Sequence, residues 1–325
     1  MTENNVTGRV ITFGVQEELS KGALYEMLGI AFEAPNGRYY YPPYNYWKLH
    51  MASMSSSLHE TSLDFKTKFA SRFFISNKFL RKADFKRFFY DYMIFGTAYL
   101  AINRARLGNV LSLSHLPAYY MRIAQDQGAY FVTRIEEKHF KDVLIMKNYD
   151  PSQTIYGKPY YLSALPSIDL NKSATAFRIK YYINGSHAGF ILSINGKISD
   201  DLMTEIETKL KSTKTDGNFN NLLINMPSGN KDSVQLIPIA DIGAKDEFEK
   251  IKRATDRDIN ASHRVPPIFM VIAPENAGGL GKPEEYSKTF YENEMLPMFE
   301  EMEDFNIDLG VEAFQFKEYD EAEEK

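Results

Sequence analysis

DRDINASHRVPPIFMVIAPENAGGLGKPEEYSKTFYENEMLPMFEEMEDF, running from Asp256 to Phe305, divides into a helix, an abrupt stop, a glycine-rich loop and a second helix. Asp246 and Lys250, like Glu249 and Arg253, stand four residues apart and support a helix from about Ala244 to His263. Pro266 and Pro267 end it, because proline cannot donate to the helical ladder and pushes Val265 towards extended backbone. After the short apolar run IFMVI (Ile268–Ile272) comes PENAGGLGKP (Pro274–Pro283). There Gly278, Gly279 and Gly281 free the backbone and a proline stands at each end. Glu284 and Glu285 suit the start of the second helix, whose apolar Tyr286, Phe290, Met298 and Met302 recur at helical spacing. Glu284 to Asp304 holds eight acids against one lysine, and Pro297 inside it predicts a kink.

Two nucleotide-binding patterns fail in the loop. Gly281-Lys282 ends like a P-loop, but Asn276 stands where its first glycine belongs and Pro283 where a Ser or Thr would hold magnesium. After Gly279 and Gly281, Glu284 takes the last glycine position of the dinucleotide pattern.

Outward from this stretch, 325 residues at 44% hydrophobic content are enough for one large domain or two ordinary ones. Cysteine is absent, which excludes disulfides and thiolate chemistry and fits a reducing setting such as a bacterial cytoplasm. No signal segment and no long apolar run suggests secretion or membrane spanning, and a soluble chain is expected. A net charge of −5 argues against a protein that coats nucleic acid through a broadly basic surface.

Met1 to Gly37 reads as a peripheral arm with a strand near Val10 to Phe13, and YYYPPYNYW (Tyr39–Trp47) as a buried aromatic connector, with a binding platform for a partner as the alternative. From Lys48 to Phe95 the pattern is helical. Lys66 to Arg87 carries eight cations against Asp84, interleaved with Phe69, Phe73, Phe74, Phe79, Phe85, Phe88 and Phe89. Rings on cationic ground can stack bases. Their three- and four-residue spacing instead reads as core, with the cations on a solvated or intersubunit face. Gly96 to Arg122 turns strand-like around Gly108-Asn109, and Ala129 to Met146 continues in strands. Asp150 to Pro159 is a loop, Pro166 to Ile183 a helix stopped by Asn184-Gly185, and GFILSING a strand. A helix over Ser199 to Lys211 follows, then NLLINMP and SVQLIPI, two strands joined by SGNKD. The helix before His263 has only a thin stripe (Phe248, Ile251, Ala254, Ile259) and is expected to bridge solvent or pack on another copy.

Catalytic patterns are missing. The six histidines are scattered, Leu63 replaces the second histidine of an H-E-x-x-H begun at His59, and no G-x-S-x-G occurs. We expect no enzyme, no cofactor and no metal.

HRVPP (His263–Pro267), the glycine loop and the spacing from Phe290 to Pro297 resemble the portal proteins of tailed bacteriophages, specifically the PBSX-like portal family. FFYDYMIFGTAYLAINRARLGNVLSLSHLPAYYMR (Phe88–Arg122) and YGKPYYLSALPSIDLNKSATAFRIKYYINGSHAGFIL (Tyr156–Leu192) are similar to that family's other two blocks, in order. The resemblance implies an α+β, ring-forming portal fold. Its parts would be a mixed wing (1–160), a first stem helix (161–184), a clip (185–241) and a second stem helix (242–268). A tunnel loop region (269–284) and a channel helix with a minimal crown (285–325) follow. It also implies a homo-oligomeric ring, of twelve subunits by resemblance to that family, at the unique capsid vertex, through which double-stranded DNA enters and leaves. The partners it implies are the terminase large subunit, which hydrolyses ATP, together with head-completion, major capsid and scaffold proteins. The location would be the virion, and the host bacterial cytoplasm during assembly.

By position, Asn276, Gly278, Gly279, Gly281 and Lys282 would form the tunnel loop. Glu292, Glu300 and Glu303 would line the channel, and Lys197, Lys211, Lys214 and Asn218 would face the terminase. The acidic tail from Asp320 is expected to fray. On residues alone, a DNA-processing enzyme such as a nuclease or ATPase and a monomeric protein-binding adaptor stand as alternatives.

Overall fold

The computed structural model describes residues 9–13, 37–183, 190–195, 201, 204–205, 221–226, 233–238, 244–270 and 282–320. In chain order the elements are strand β1 (Arg9–Phe13) and helices α1 (Tyr46–Ser53), α2 (Ser57–Phe73) and α3 (Lys82–Phe95). Strands β2 (Thr97–Arg104), β3 (Val110–Leu116), β4 (Met121–Ile123), β5 (Ala129–Val132), β6 (Glu137–Phe140) and β7 (Val143–Lys147) follow. Then come α4 (Leu165–Ile183), β8 (Phe190–Asn195), β9 (Asn221–Met226) and β10 (Ser233–Pro238). The order closes with α5 (Ala244–His263), α6 (Pro283–Phe290), a π-helical turn (Tyr291–Met295) and α7 (Leu296–Leu309). Contacts divide the chain into two compact units, Met1–Ser20 with Asn171–Ala254, and Lys21–Leu170 with Thr255–Lys325.

The helical reading of Lys48 to Phe95 holds in type, but the structure breaks it twice. The second break, between α2 and α3, has a local cause: the Asn77 side-chain oxygen accepts from the backbone N–H groups of Phe79 at 2.9 Å and Leu80 at 3.0 Å. An asparagine that satisfies the backbone this way competes with the helix. α3 then stops at Gly96, whose φ of 67° lies in the left-handed region. A Cβ there would also collide with the backbone of Lys158 and Pro159, so glycine is required twice over.

α3 packs Phe85, Phe88, Phe89 and Tyr92 inward, all fully buried. Phe74 stacks on Phe85 with centroids 4.1 Å apart, and Phe299 stacks on Phe316 at 4.1 Å. Each buried ring contributes about 1.5–3 kcal/mol. Six of the seven rings of the basic segment are therefore core, as their spacing predicts, and pack on other rings, whereas Phe79 is half-buried with the Lys78 ammonium 4.8 Å from its centroid. One cation departs from that reading: Lys66 is 2% exposed and belongs to the interior.

Two antiparallel three-stranded sheets complete the larger unit, in the orders β3-β2-β7 and β4-β5-β6. Gly108, at φ 91°, turns β2 into β3 as the Gly-Asn signal predicts. In the aromatic connector Tyr39, Tyr44 and Tyr46 are buried, whereas Trp47 is exposed.

The smaller unit is a four-stranded sheet in the order β1-β9-β8-β10. β9 and β10, although joined by the short SGNKD, are not neighbours. β8 lies between them, parallel to β9 and antiparallel to β10. A parallel pair needs a long crossover, which the chain between Asn195 and Asn221 is long enough to be. β1 of the N-terminal arm pairs antiparallel with β9, from Arg9 opposite Asn225 to Phe13 opposite Asn221.

α5 spans Ala244–His263 as predicted, but it buries more than its apolar stripe allows. Of that stripe Ile259 is buried and Ala254 exposed, while Thr255, Asn260 and His263 are buried as well. His263 finds a partner there in His59, whereas Asn260 Oδ1 is buried without one among the described residues. Nearer the helix start, Phe248 meets Phe177 of α4 at 4.7 Å. The stop at Asn184-Gly185, most of the helix expected over Ser199 to Lys211 and the tail beyond Asp320 lie outside the described residues.

Candidate functional site

Of the loop between Pro274 and Pro283, Asn276, Gly278, Gly279 and Gly281 lie outside the described residues, whereas both anchors of the loop are described. α2 is the element that holds them. Its Phe65 stacks on Phe269 at the entering end, with centroids 5.2 Å apart, and meets Phe290 at the leaving end at 5.7 Å. Phe69 touches Phe290 edge-on at 5.0 Å. The described residues on either side of the loop are thus tied to one helix by aromatic packing.

Beneath the rings lies a polar clamp. Lys66 Nζ donates to Glu294 Oε1 at 2.5 Å, and Arg264 Nη1 reaches Glu294 Oε2 at 3.3 Å. Glu294, on the π turn, is 6% exposed, and Arg264 holds a left-handed φ of 53° directly after α5. Burial pushes the Lys66 ammonium down, and the Glu294 carboxylate beside it pulls the other way.

The second half of the clamp is His59 Nδ1 against His263 Nε2 at 2.7 Å, with both rings packed on Tyr161. Only one of these nitrogens can carry the shared proton, and because burial holds both imidazoles in the uncharged form, the pair has complementary neutral tautomers. His59 Nε2 is buried without a partner among the described residues. A bare lone pair there is less costly than an orphaned N–H, which assigns the proton to His59 Nδ1. Burial holds His59 down to about 3 and His263 down to about 2. The scattered histidines of the sequence therefore include a pair, joined across 204 residues of chain.

The predicted kink at Pro297 takes a specific form. Proline lacks the N–H for a carbonyl four residues back, and its ring needs space there. The π turn over Tyr291–Met295 widens the helix immediately upstream, and Leu296 N–H bonds back to Tyr291. It is this turn that delivers Glu294 to Lys66.

Lys282 is exposed at the N-cap of α6, ahead of Pro283 and the acids Glu284 and Glu285. Glu292, Glu300 and Glu303 are all exposed. Glu303 is raised by partial burial and, after the opposing hydrogen bond from the Phe316 N–H, by Glu300 and Asp304. The structure thus brings Glu300 and Glu303 together on α7, with Glu292 on the π turn before it. Lys197, Lys211, Lys214 and Asn218 lie outside the described residues.

Sequence reasoning missed Lys66, His59, Arg264 and Glu294 as a group. The available signal was positional: His59, Ser62, Lys66 and Phe73 share the buried stripe of α2 with the rings. Among the described residues no cluster of three or more metal-ligating side chains occurs, and no helix is long and apolar enough to cross a membrane.

Comparison with known proteins agrees with this architecture. The family model described as "Phage portal protein" matches residues 70–317. A "Probable portal protein" of Escherichia phage P2 is 36% identical over 290 residues, 87% of this chain and 84% of the relative. One of Haemophilus phage HP1 is 32% identical over 299 residues, 89% of this chain and 86% of the relative. Among solved structures, the neck of an empty gene transfer agent particle superposes with a TM-score of 0.62 at 16% identity, covering 86% of each chain. An HK97-family phage portal protein from Corynebacterium diphtheriae does so with 0.57 at 12%, covering 82% of this chain and 94% of that one. The fold is the portal fold, and the chain belongs to the phage portal protein family.

Proposed function

We propose that this chain assembles into a closed ring of about twelve copies at one capsid vertex and forms the conduit for double-stranded DNA. The observation that carries this reading is family membership across residues 70–317, joined to relatives named as portal proteins over most of the chain. In the proposal residues 1–160 form the wing, 161–184 and 242–268 the stem helices and 185–241 the clip. Residues 269–284 form the tunnel loop, and 285–325 the channel helix with a small crown. The clip, with Lys197, Lys211, Lys214 and Asn218, docks the terminase large subunit and later a head-completion protein. The wing meets major capsid and scaffold proteins, in the host cytoplasm during assembly and in the virion afterwards.

The family is structural, and we propose that ATP hydrolysis belongs to the terminase. The pinned loop suits a conduit, because a segment held at both ends can project into the channel without loosening the wall. Lys282, repeated around the ring beside Asn276, Gly278, Gly279 and Gly281, meets phosphates without sequence preference. Glu292, Glu300 and Glu303 repel the backbone, so that DNA is guided and not held.

Light scattering of the purified chain tests the ring, with negative-stain imaging of the large species. A hollow ring roughly tenfold heavier than the 37.4 kDa subunit is expected. A persistent monomer with metal-dependent DNA cleavage or ATP turnover would establish the enzyme alternative, and an inert monomer that binds other proteins the adaptor.

A further inference from the structure

The cations of the Lys66–Arg87 segment that are not core have no role in the conduit. Lys78, Lys82, Lys86 and Arg87 are exposed, and Asp84, the one acid among them, is buried and paired to Arg81 at 2.7 Å. Lys82 and Lys86 stand four apart on α3, where like charges destabilise a helix. Lys82 also sits at the helix N-terminus, the wrong end for a cation.

α7 mirrors this with opposite sign. From Tyr291 to Leu309 there is no Lys or Arg. At roughly 100° per residue, Glu301, Asp304 and Asp308 fall on one flank and Glu300 and Glu303 on the other. Asp304 and Asp308 are again like charges four apart, and Asp308 lies in the last turn, the wrong end for an acid. Partial burial and then Asp304 push the Glu301 carboxyl up. Each face therefore costs the isolated copy some stability.

The two faces point away from a common core. Phe314 lies between Phe88 of α3 at 6.0 Å and Phe305 of α7 at 6.2 Å. Phe316 likewise lies between Phe85 at 5.6 Å and Phe299 at 4.1 Å. Both helices bury their inner sides on the same segment, Phe314–Phe316, so each charged side faces away from it. Among the described residues no ion pair joins Lys78, Lys82, Lys86 or Arg87 to Glu301, Asp304 or Asp308 within the copy. Exposed apolar side chains stand close in sequence to each face: Ile75, 38% exposed, three residues before Lys78, and Ile307, 81% exposed, between Asp304 and Asp308. That composition fits an interface, with apolar contact set in complementary charge.

We infer that the basic face of α3 docks on the Glu301–Asp304–Asp308 flank of α7 in a neighbouring copy of this chain. The inference rests on the ring reading and supplies its geometry. Two different patches form a heterologous contact, which builds a ring when the rotation between copies closes. A duplex on the basic face is the competing occupant. The matching acidic flank on the same chain favours a second copy, and charge at such a contact sets partner and register more than strength.

Charge reversal tests it. Lys82→Glu with Lys86→Glu, and separately Glu301→Lys with Asp304→Lys and Asp308→Lys, are each expected to lower the ring population at least about tenfold at low salt. All five together are expected to restore it, with far-UV circular dichroism showing that every variant is folded. Wild-type rings with unaffected single-face variants, or no rescue by the combination, overturn the inference and leave the ring reading standing. Normal rings from the lysine variants with lost retention of duplex DNA overturn it in favour of DNA. In this cysteine-free chain, Lys86→Cys with Asp304→Cys gives a second readout that needs no closed ring. A ladder of disulfide-linked multimers on oxidation supports the contact, and monomer alone overturns it.

Discussion

Lys66 and Lys82 lie sixteen positions apart in the same basic, aromatic-rich segment, yet one is interior and the other surface. Lys66 sits on the inner stripe of α2 and meets Glu294; Lys82 opens α3 with its ammonium outside. The same side chain stabilises the monomer in one place and is free to recognise a partner in the other. What separates them is whether a carboxylate from another part of the chain arrives at hydrogen-bonding distance. A buried cation without one is strongly unfavourable, and an exposed cation without one costs little.

The largest test removes that carboxylate. Glu294→Leu alone is expected to cost about 3–5 kcal/mol, because it leaves Lys66 an uncompensated buried charge; Lys66→Met is expected to cost less, since Arg264 still meets Glu294. The double variant is expected to recover most of the loss, which urea unfolding measures directly. If the singles cost no more than a surface change, the clamp is not an interior pair and the contrast with Lys82 collapses.

A smaller effect should come from the histidine pair. The folded values of His59 and His263, about 3 and about 2, lie below the ordinary imidazole value near 6.5. The unfolded chain therefore binds more protons below pH 6.5. Their stabilisation is full above that pH and is lost as pH falls towards 3. Between pH 6.5 and 5 the loss for the two imidazoles together is on the order of 3 kcal/mol. The same unfolding series with His59→Leu and His263→Leu together should be flatter over that interval. An equal slope would mean that the pair is accessible to protons in the folded protein.

The smallest effect sharpens the surface side of the comparison. Lys282→Ala is expected to change stability by less than about 0.5 kcal/mol, since the side chain is exposed and outside the clamp. Its effect should appear in DNA packaging speed and salt sensitivity instead. Unchanged packaging by both Lys282→Ala and Lys282→Glu would remove it from the channel proposal.

Much of the architecture was legible because local rules governed it. The proline that opens α6, the extent of α5 and the Gly108 turn follow from backbone restrictions that act within a few residues. The rings of the basic segment could be read as core from their spacing. The anchors could not. Lys66 and Glu294 lie 228 residues apart, and His59 and His263 lie 204 apart. Nothing in the neighbourhood of either member marks it as half of a pair. The order of the smaller sheet was hidden for the same reason, since strand pairing depends on which segments meet and not on how far apart they lie in sequence.

By itself, then, the sequence determined what kinds of elements form, where the chain must stop and turn, and which family's blocks it carries. Those properties follow from torsional limits, periodicity and residue order, all of which are local. Only the tertiary structure decided which polar residues are interior, that a π turn carries Glu294 to Lys66, and that β8 separates β9 from β10. These depend on desolvation and on partners supplied from distant segments, and neither exists until the chain has closed on itself.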